Sequence, residues 1–197
     1  MYKKCKNYTQ DDLLPVERCP WKITRWSPRH RTLRYLFTFI KPRMSEKDSI
    51  LEFGCGVSTW YLNQLNFKDY VACETFEDAI QKVENKCSNV NVVKRWEDIP
   101  VKKYKWIFID SKAGSDITSK FSRYLSLTYA HERGFVDKNT IMVIHDYARI
   151  RKSNDNPNSI WASRMANWNK TIDEYDWKLL DEIMIYRGFG IYKRGKK

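Results

Sequence analysis

Residues 49–60 read Ser-Ile-Leu-Glu-Phe-Gly-Cys-Gly-Val-Ser-Thr-Trp, and no other stretch limits the fold as much. Ile50, Leu51 and Phe53 form a short apolar run that reads as a buried strand. Gly54 and Gly56 break the run, and from Trp60 the apolar spacing turns helical. Strand, glycine turn and helix together make the ligand-binding edge of an α/β sheet. Glycine lets the backbone turn and approach a ligand where a Cβ would clash. A dinucleotide turn carries a third glycine in Gly-x-Gly-x-x-Gly; here that position holds Thr59. Glu52 stands two residues before Gly54. Pyrophosphate gains nothing from a carboxylate there, whereas a cationic ligand with an amino group does.

Further apolar runs follow the same plan. Val71, Ala72 and Cys73 end in Glu74; residues 90–93 are followed by Arg95-Trp96; residues 106–109 end in Asp110; residues 140–144 end in His145-Asp146. Helical spacing covers 30–40, where Pro42 stops it, and then 60–65, 76–86, 121–133 and 160–172. Strands alternating with helices imply a parallel sheet covered on both faces, and continuously apolar strands suit such a sheet. Residues 177–180 and 190–193 read as a last strand pair, turning at Tyr186-Arg187-Gly188. The polar stretch 149–158 reads as a loop and a candidate substrate flap. Residues 1–28 are polar and broken by Pro15, Pro20 and Pro28, with Trp21 and Trp26 among Lys22, Arg25 and Arg29. Residues 1–44 are therefore expected to form an arm and helix covering the site, and 45–197 the ligand-binding domain, one structural domain in all.

Lysine and arginine outnumber acids 36 to 24 in the 197 residues, a formal charge of +12. Such a charge suits either a polyanion contact through a basic surface or simple solubility. Five cysteines lack metal-ligand spacing, and Cys55 and Cys73 read as small buried hydrophobes. With no leader-like or membrane-length apolar run, the expectation is a reduced, cytoplasmic protein with no membrane contact. The sequons at Asn7 and Asn169 are then incidental.

In open α/β sheets ligands bind beyond the carboxyl ends of the strands. The turn after Glu52, Glu74, Asp110 and His145-Asp146 all fall at such ends. This ordered set resembles the motifs of class I S-adenosylmethionine (SAM) methyltransferases, whose first motif is acidic-x-Gly-x-Gly. The resemblance implies a Rossmann-like α/β fold: a mostly parallel seven-stranded sheet, helices on both faces, and a C-terminal antiparallel hairpin. It implies SAM as methyl donor and S-adenosylhomocysteine as product. It places Glu52, Gly54, Cys55, Gly56, Ser58, Thr59, Glu74, Thr75, Trp96 and Asp110 around the donor. Glu74 falls where the family's acid holds both ribose hydroxyls, a carboxylate offering two acceptor oxygens. Trp96 either stacks on adenine or belongs to the core. Arg123 reads as a surface helix residue or an aid to placing substrate.

Methyltransferases acting on adenine amino groups or glutamine amides carry Asn/Asp-Pro-Pro-aromatic after the fourth strand. This chain has Ile109-Asp110-Ser111-Lys112 instead, and no cysteine follows the fourth or fifth strand. Transfer to a hydroxyl fits better and needs a base. His145 is the expected base, with Asp146 orienting it or acting itself, and Asp110 facing both. Alternatively, Asp110 and Asp146 bind a divalent metal that acidifies the hydroxyl, as in catechol-type O-methyltransferases; no third ligand is evident. Ile109-Asp110, Gly114, Arg123 and His145-Asp146 are similar to a run in plant glucuronoxylan O-methyltransferases. They also resemble the methyltransferase domain that algal viruses fuse to capsid-glycan glycosyltransferases. That implies a sugar hydroxyl of a glycan as acceptor, and a viral protein that is part of a larger glycosyltransferase polypeptide. Two other readings stay open: a SAM-dependent RNA methyltransferase, from the charge, and an RNA-binding module, from the RNP1-like run at Arg187–Tyr192.

Overall fold

The computed structural model describes residues 13, 15–21, 28, 30–110, 123–156, 158, 160–184 and 188–195. Seven strands form one sheet: β1 (Ser49–Phe53), β2 (Asp69–Cys73), β3 (Asn91–Val93), β4 (Trp106–Ile109), β5 (Ile141–His145), β6 (Trp177–Ile183) and β7 (Phe189–Arg194). Their order is β3-β2-β1-β4-β5-β7-β6. The first five pair in parallel, and β7 enters antiparallel between β5 and β6. This is the mostly parallel sheet with a closing antiparallel hairpin that the sequence implies. The order reverses direction between β1 and β4, so the cleft-forming switch point of an open sheet lies there.

Alternate residues of each strand feed two cores. Ile50, Ala72, Trp106, Phe108 and Val143 face α1 (His30–Ile40) and α2 (Val57–Asn63), and Val83 of α3 (Glu77–Glu84) joins them. Leu51, Val71, Ile107, Met142 and Ile144 face Leu127 and Ala130 of α4 (Arg123–Glu132). Ile150 of α5 (Tyr147–Asp155), and Met165 and Trp168 of α6 (Ile160–Glu174), complete that second core. Leu33, Leu36, Phe37 and Ile40 make the buried stripe of α1 as their spacing predicts.

Two expectations need correction. Residues 149–158 are not a flap loop: up to Asp155 the chain is helix α5, which packs on α6. Its polarity belongs to the solvent side, and Tyr147 and Ile150 are its buried anchors. The RNP1-like run also lacks its scaffold. Residues 185–187 lie outside the described residues, and β7 is an interior strand of a seven-stranded sheet. Phe189, Ile191 and Tyr192 are buried there rather than displayed for base stacking.

The described part of the arm lies along α2. Trp60 Nε1 and Gln64 Nε2 both donate to the Glu17 carbonyl at 3.2 Å. The Cys19 amide donates to the Tyr61 hydroxyl, and Trp21 meets Trp60 edge-on at 5.9 Å. Trp21 is thus an anchor; Trp26 lies outside the described residues. Cys19, Cys55, Cys73 and Cys87 are buried free thiols. Among the described residues no helix is long and apolar enough to cross a membrane.

Candidate active site

Strand register brings the sequence-marked residues to one edge. Phe53 pairs with Cys73 on one side and Ile109 on the other, and Ile109 pairs with Ile144. The residues immediately after these are Gly54, Glu74, Asp110 and His145, so all four stand in a row across the carboxyl end of the sheet. Backbone bonds extend the row past the strands. The Gly54 amide donates to the Cys73 carbonyl at 2.8 Å, the Asp110 amide to Phe53 at 2.9 Å, and the Glu74 amide to Val93 at 3.1 Å.

The glycine turn fits a ligand that lies against backbone. Gly54 has φ +94°, a conformation that a side chain would strain. A Cβ built on Gly56 would meet nothing within 4 Å, so the space over the turn is open. α2 starts at Val57, and its first turn is fixed by Thr59, whose Oγ1 accepts the Gly56 amide at 2.7 Å.

Glu52 does not face this space. It is 0% exposed, and its carboxylate accepts the hydroxyls of Ser58, Thr59 and Tyr70. The sequence reading aims Glu52 at a cationic ligand; the structure turns it beneath the turn, because three hydroxyl donors meet it there. Ser58 and Thr59 are buried with it. Burial pushes the Glu52 carboxyl up to about 7, although the hydrogen bonds from Ser58, Tyr70 and Thr59 pull the other way. Cys55 is also buried, and burial, reinforced by Glu52 and Glu74, drives its thiol well above the usual range. It contributes backbone to the turn, not a thiolate.

Glu74 is partly exposed, and its Oε1 accepts the amides of Thr75 and Phe76 at 2.7 and 3.0 Å. These bonds fix the carboxylate at the start of the next turn, and strand register sets Glu74 next to Gly54. Phe76 is 72% exposed, an unusual state for so large an apolar ring. Trp96 lies in a 3-10 turn after β3 and is partly buried against Phe53, at 5.7 Å, and Tyr129, at 5.0 Å. It therefore walls the same edge while packing on the second core.

Beyond β4 and β5 four polar side chains interlock. His145 Nδ1 is 2.7 Å from Asp110 Oδ1. Its Nε2 is 3.9 Å from Asp146 Oδ1. Arg123, at the start of α4, sends Nη2 to Asp110 Oδ1 at 2.9 Å and to Asp146 Oδ2 at 3.1 Å. Asp146 has φ +68°, and this left-handed residue turns the chain from β5 into α5. His145 and Asp146 are each 2% exposed, whereas the Asp110 side chain is 21% exposed. Burial would raise the Asp110 carboxyl; the charges and hydrogen bonds of His145 and then Arg123 outweigh it and hold it below its ordinary range. The His145 ring also packs on Phe189, its partner across β7, at 5.0 Å.

The structure thus joins His145, Asp110 and Asp146 in one cluster, with the glycine turn, Glu74, Thr75 and Trp96 along the neighbouring edge. Of the two readings of Arg123, the surface residue is ruled out, because Arg123 is buried. The structure also adds two residues that sequence reasoning missed, Tyr70 and Phe189; no signal marked either. Among the described residues no group of three or more His, Cys, Asp or Glu is placed to hold a metal ion. The space between the two acids proposed as metal ligands is bridged by the Arg123 guanidinium, so the pair does not fit a divalent ion as it stands.

No family model matches the sequence, and no curated protein matches it. Solved structures do match the fold. The methyltransferase PaMTH1 of Podospora anserina, bound to S-adenosylhomocysteine, superposes with a TM-score of 0.63 at 12% identity, over 87% of this chain and 81% of its own. The O-methyltransferase TomG of Streptomyces achromogenes, in complex with SAM, gives 0.60 at 14% identity, over 86% and 82%. The 16S rRNA methylase ArmA gives 0.51 at 18% identity, over 84% and 83%. The chain has the Rossmann-like fold of SAM-dependent methyltransferases. Similar structures include both an O-methyltransferase and an rRNA methylase, so the fold does not choose the acceptor.

Proposed function

We propose that the chain is a SAM-dependent O-methyltransferase whose acceptor is a sugar hydroxyl in a glycan. The observation that carries the reading is the His145–Asp110 pair, at the ends of the next two strands along the sheet from the one that leads into the open glycine turn. SAM, when bound, supplies an electrophilic methyl group. The turn at Gly54 and Gly56 offers backbone to it, and Glu74 offers carboxylate oxygen to the ribose hydroxyls. Trp96 lines the adenine side, with Thr75 next to Glu74. His145 Nδ1–H donates to the Asp110 carboxylate, an arrangement that presents the Nε2 lone pair to the acceptor's proton. The sugar is favoured over other hydroxyls by the resemblance of the Asp110, Arg123 and His145-Asp146 run to glycan O-methyltransferases.

Incubation with SAM and a panel of glycans, read by mass spectrometry, tests this. The expected product is an acceptor heavier by one methyl group on a monosaccharide unit. Methyl appearing only on amines or on RNA contradicts it. A second reading, methylation of RNA, is favoured by the +12 charge. It requires RNA binding that weakens steeply with salt, and absence of binding at low salt removes it.

A further inference from the structure

Arg123 is the least expected member of the site. Its side chain is 10% exposed, and one nitrogen, Nη2, reaches carboxylates that arrive from two different strands. Two carboxylates within reach of one nitrogen, Asp146 buried and Asp110 partly so, repel unless a cation lies between them. A divalent ion in that role sits about 2.0–2.6 Å from an oxygen of each acid. Here the place between Asp110 Oδ1 and Asp146 Oδ2 is held at 2.9 and 3.1 Å by a guanidinium, a group that stays charged at any working pH and donates directionally.

We propose that Arg123 is the resident cation of this site. It stands where a metal would otherwise bridge Asp110 and Asp146, and methyl transfer runs without a metal. Arg123 is a positioning residue. It fixes Asp110, and Asp110 orients the His145 ring through Nδ1. A guanidinium has no vacant coordination position with which to bind and acidify a hydroxyl, so the acceptor proton has to leave to a side-chain base, the role given above to His145. The catalytic half of this inference rests on the methyltransferase reading; the placement of the cation does not.

The experiment separates the two. Mn²⁺ is titrated into the ligand-free protein and the free ion is followed by electron paramagnetic resonance. Wild type and Arg123→Lys are expected to leave the signal of free Mn²⁺ unchanged. Arg123→Ala is expected to bind one ion at least tenfold more tightly than wild type, and a second change, Asp110→Asn, to abolish that gain. Thermal melts confirm that each variant is folded, and Arg123→Gln replaces Arg123→Ala if the latter is not. Binding of Mn²⁺ by the wild type that Asp110→Asn removes overturns the proposal, as does a folded neutral variant that gains no site. Where the glycan assay gives turnover, that turnover is expected to survive EDTA within twofold, and its loss also overturns the proposal. Absence of turnover with and without metal counts against the methyltransferase reading and leaves the Mn²⁺ result to decide the role of Arg123.

Discussion

His145→Ala is expected to lower methyl transfer by about 10²–10⁴-fold, the usual worth of a positioned general base, while SAM affinity changes less than twofold. The asymmetry follows from the geometry. His145 Nδ1 is committed to Asp110 at 2.7 Å, and no bond ties His145 to the glycine turn or to Glu74. Asp110→Asn is expected to cost a similar factor by another route. An amide can donate to Nδ1 as well as accept from it, so the imidazole is no longer held in the tautomer that leaves Nε2 basic. The Asp110 carboxyl is held below its ordinary range, so this orientation persists across the neutral pH range. Calorimetry for donor binding and mass spectrometry for product measure both quantities. Normal turnover by a folded His145→Ala enzyme removes His145 from the base role.

Glu52→Ala is expected to be among the most destabilising single changes in the chain. It strands the hydroxyls of Ser58, Thr59 and Tyr70 around an empty site. At about 1–3 kcal/mol for each buried hydroxyl left without its partner, the loss is roughly 3 kcal/mol or more. Thr59 also holds the Gly56 amide, so donor affinity is expected to fall with stability. Glu52→Gln keeps the shape and should cost far less, since all three hydroxyls can accept as well as donate. It should also change the pH profile. The folded carboxyl titrates near 7, above its ordinary value of 4.5. The folded state therefore holds the proton more tightly than the unfolded state. The contribution of Glu52 to stability is full below about 4.5 and is lost as pH rises through about 7. Urea unfolding at pH 5 and pH 8 should show that decline in wild type and not in Glu52→Gln. Equal slopes in the two proteins would refute the buried placement of Glu52.

The sequence exposed the sheet because buried parallel strands carry near-continuous apolar runs, and β1, β2, β4 and β5 each have one, broken in β1 only by Glu52. It exposed the site residues at or just past the strand ends, since register alone brings Gly54, Glu74, Asp110 and His145 into line. It failed where the determinant is a side-chain partner remote in sequence. Glu52 and Tyr70 are 18 residues apart and meet because Ile50 pairs with Tyr70 and leaves the two side chains on one face. Nothing local to residues 49–60 tells which way Glu52 points. Arg123 is similar: it shares the buried stripe of α4 with Ser126, Leu127 and Ala130, but a cation ordinarily belongs to solvent, and the two acids that receive it there lie on other elements. Helix α5 was hidden by polarity, because a helix that touches the core through Tyr147 and Ile150 leaves too weak a periodic signal in nine residues.

The carboxyl edge of this sheet is claimed to be an adenosyl methyl-donor site with Glu74 on the ribose. Calorimetric titration of the wild type and Glu74→Ala with S-adenosylhomocysteine tests that claim most directly. One equivalent should bind the wild type, and loss of two hydrogen bonds to a charged acceptor, at about 1.5–3 kcal/mol each, should weaken it by roughly 10²–10⁴-fold in Glu74→Ala. No heat of binding in the wild type, or equal affinity in the variant, would contradict the claim.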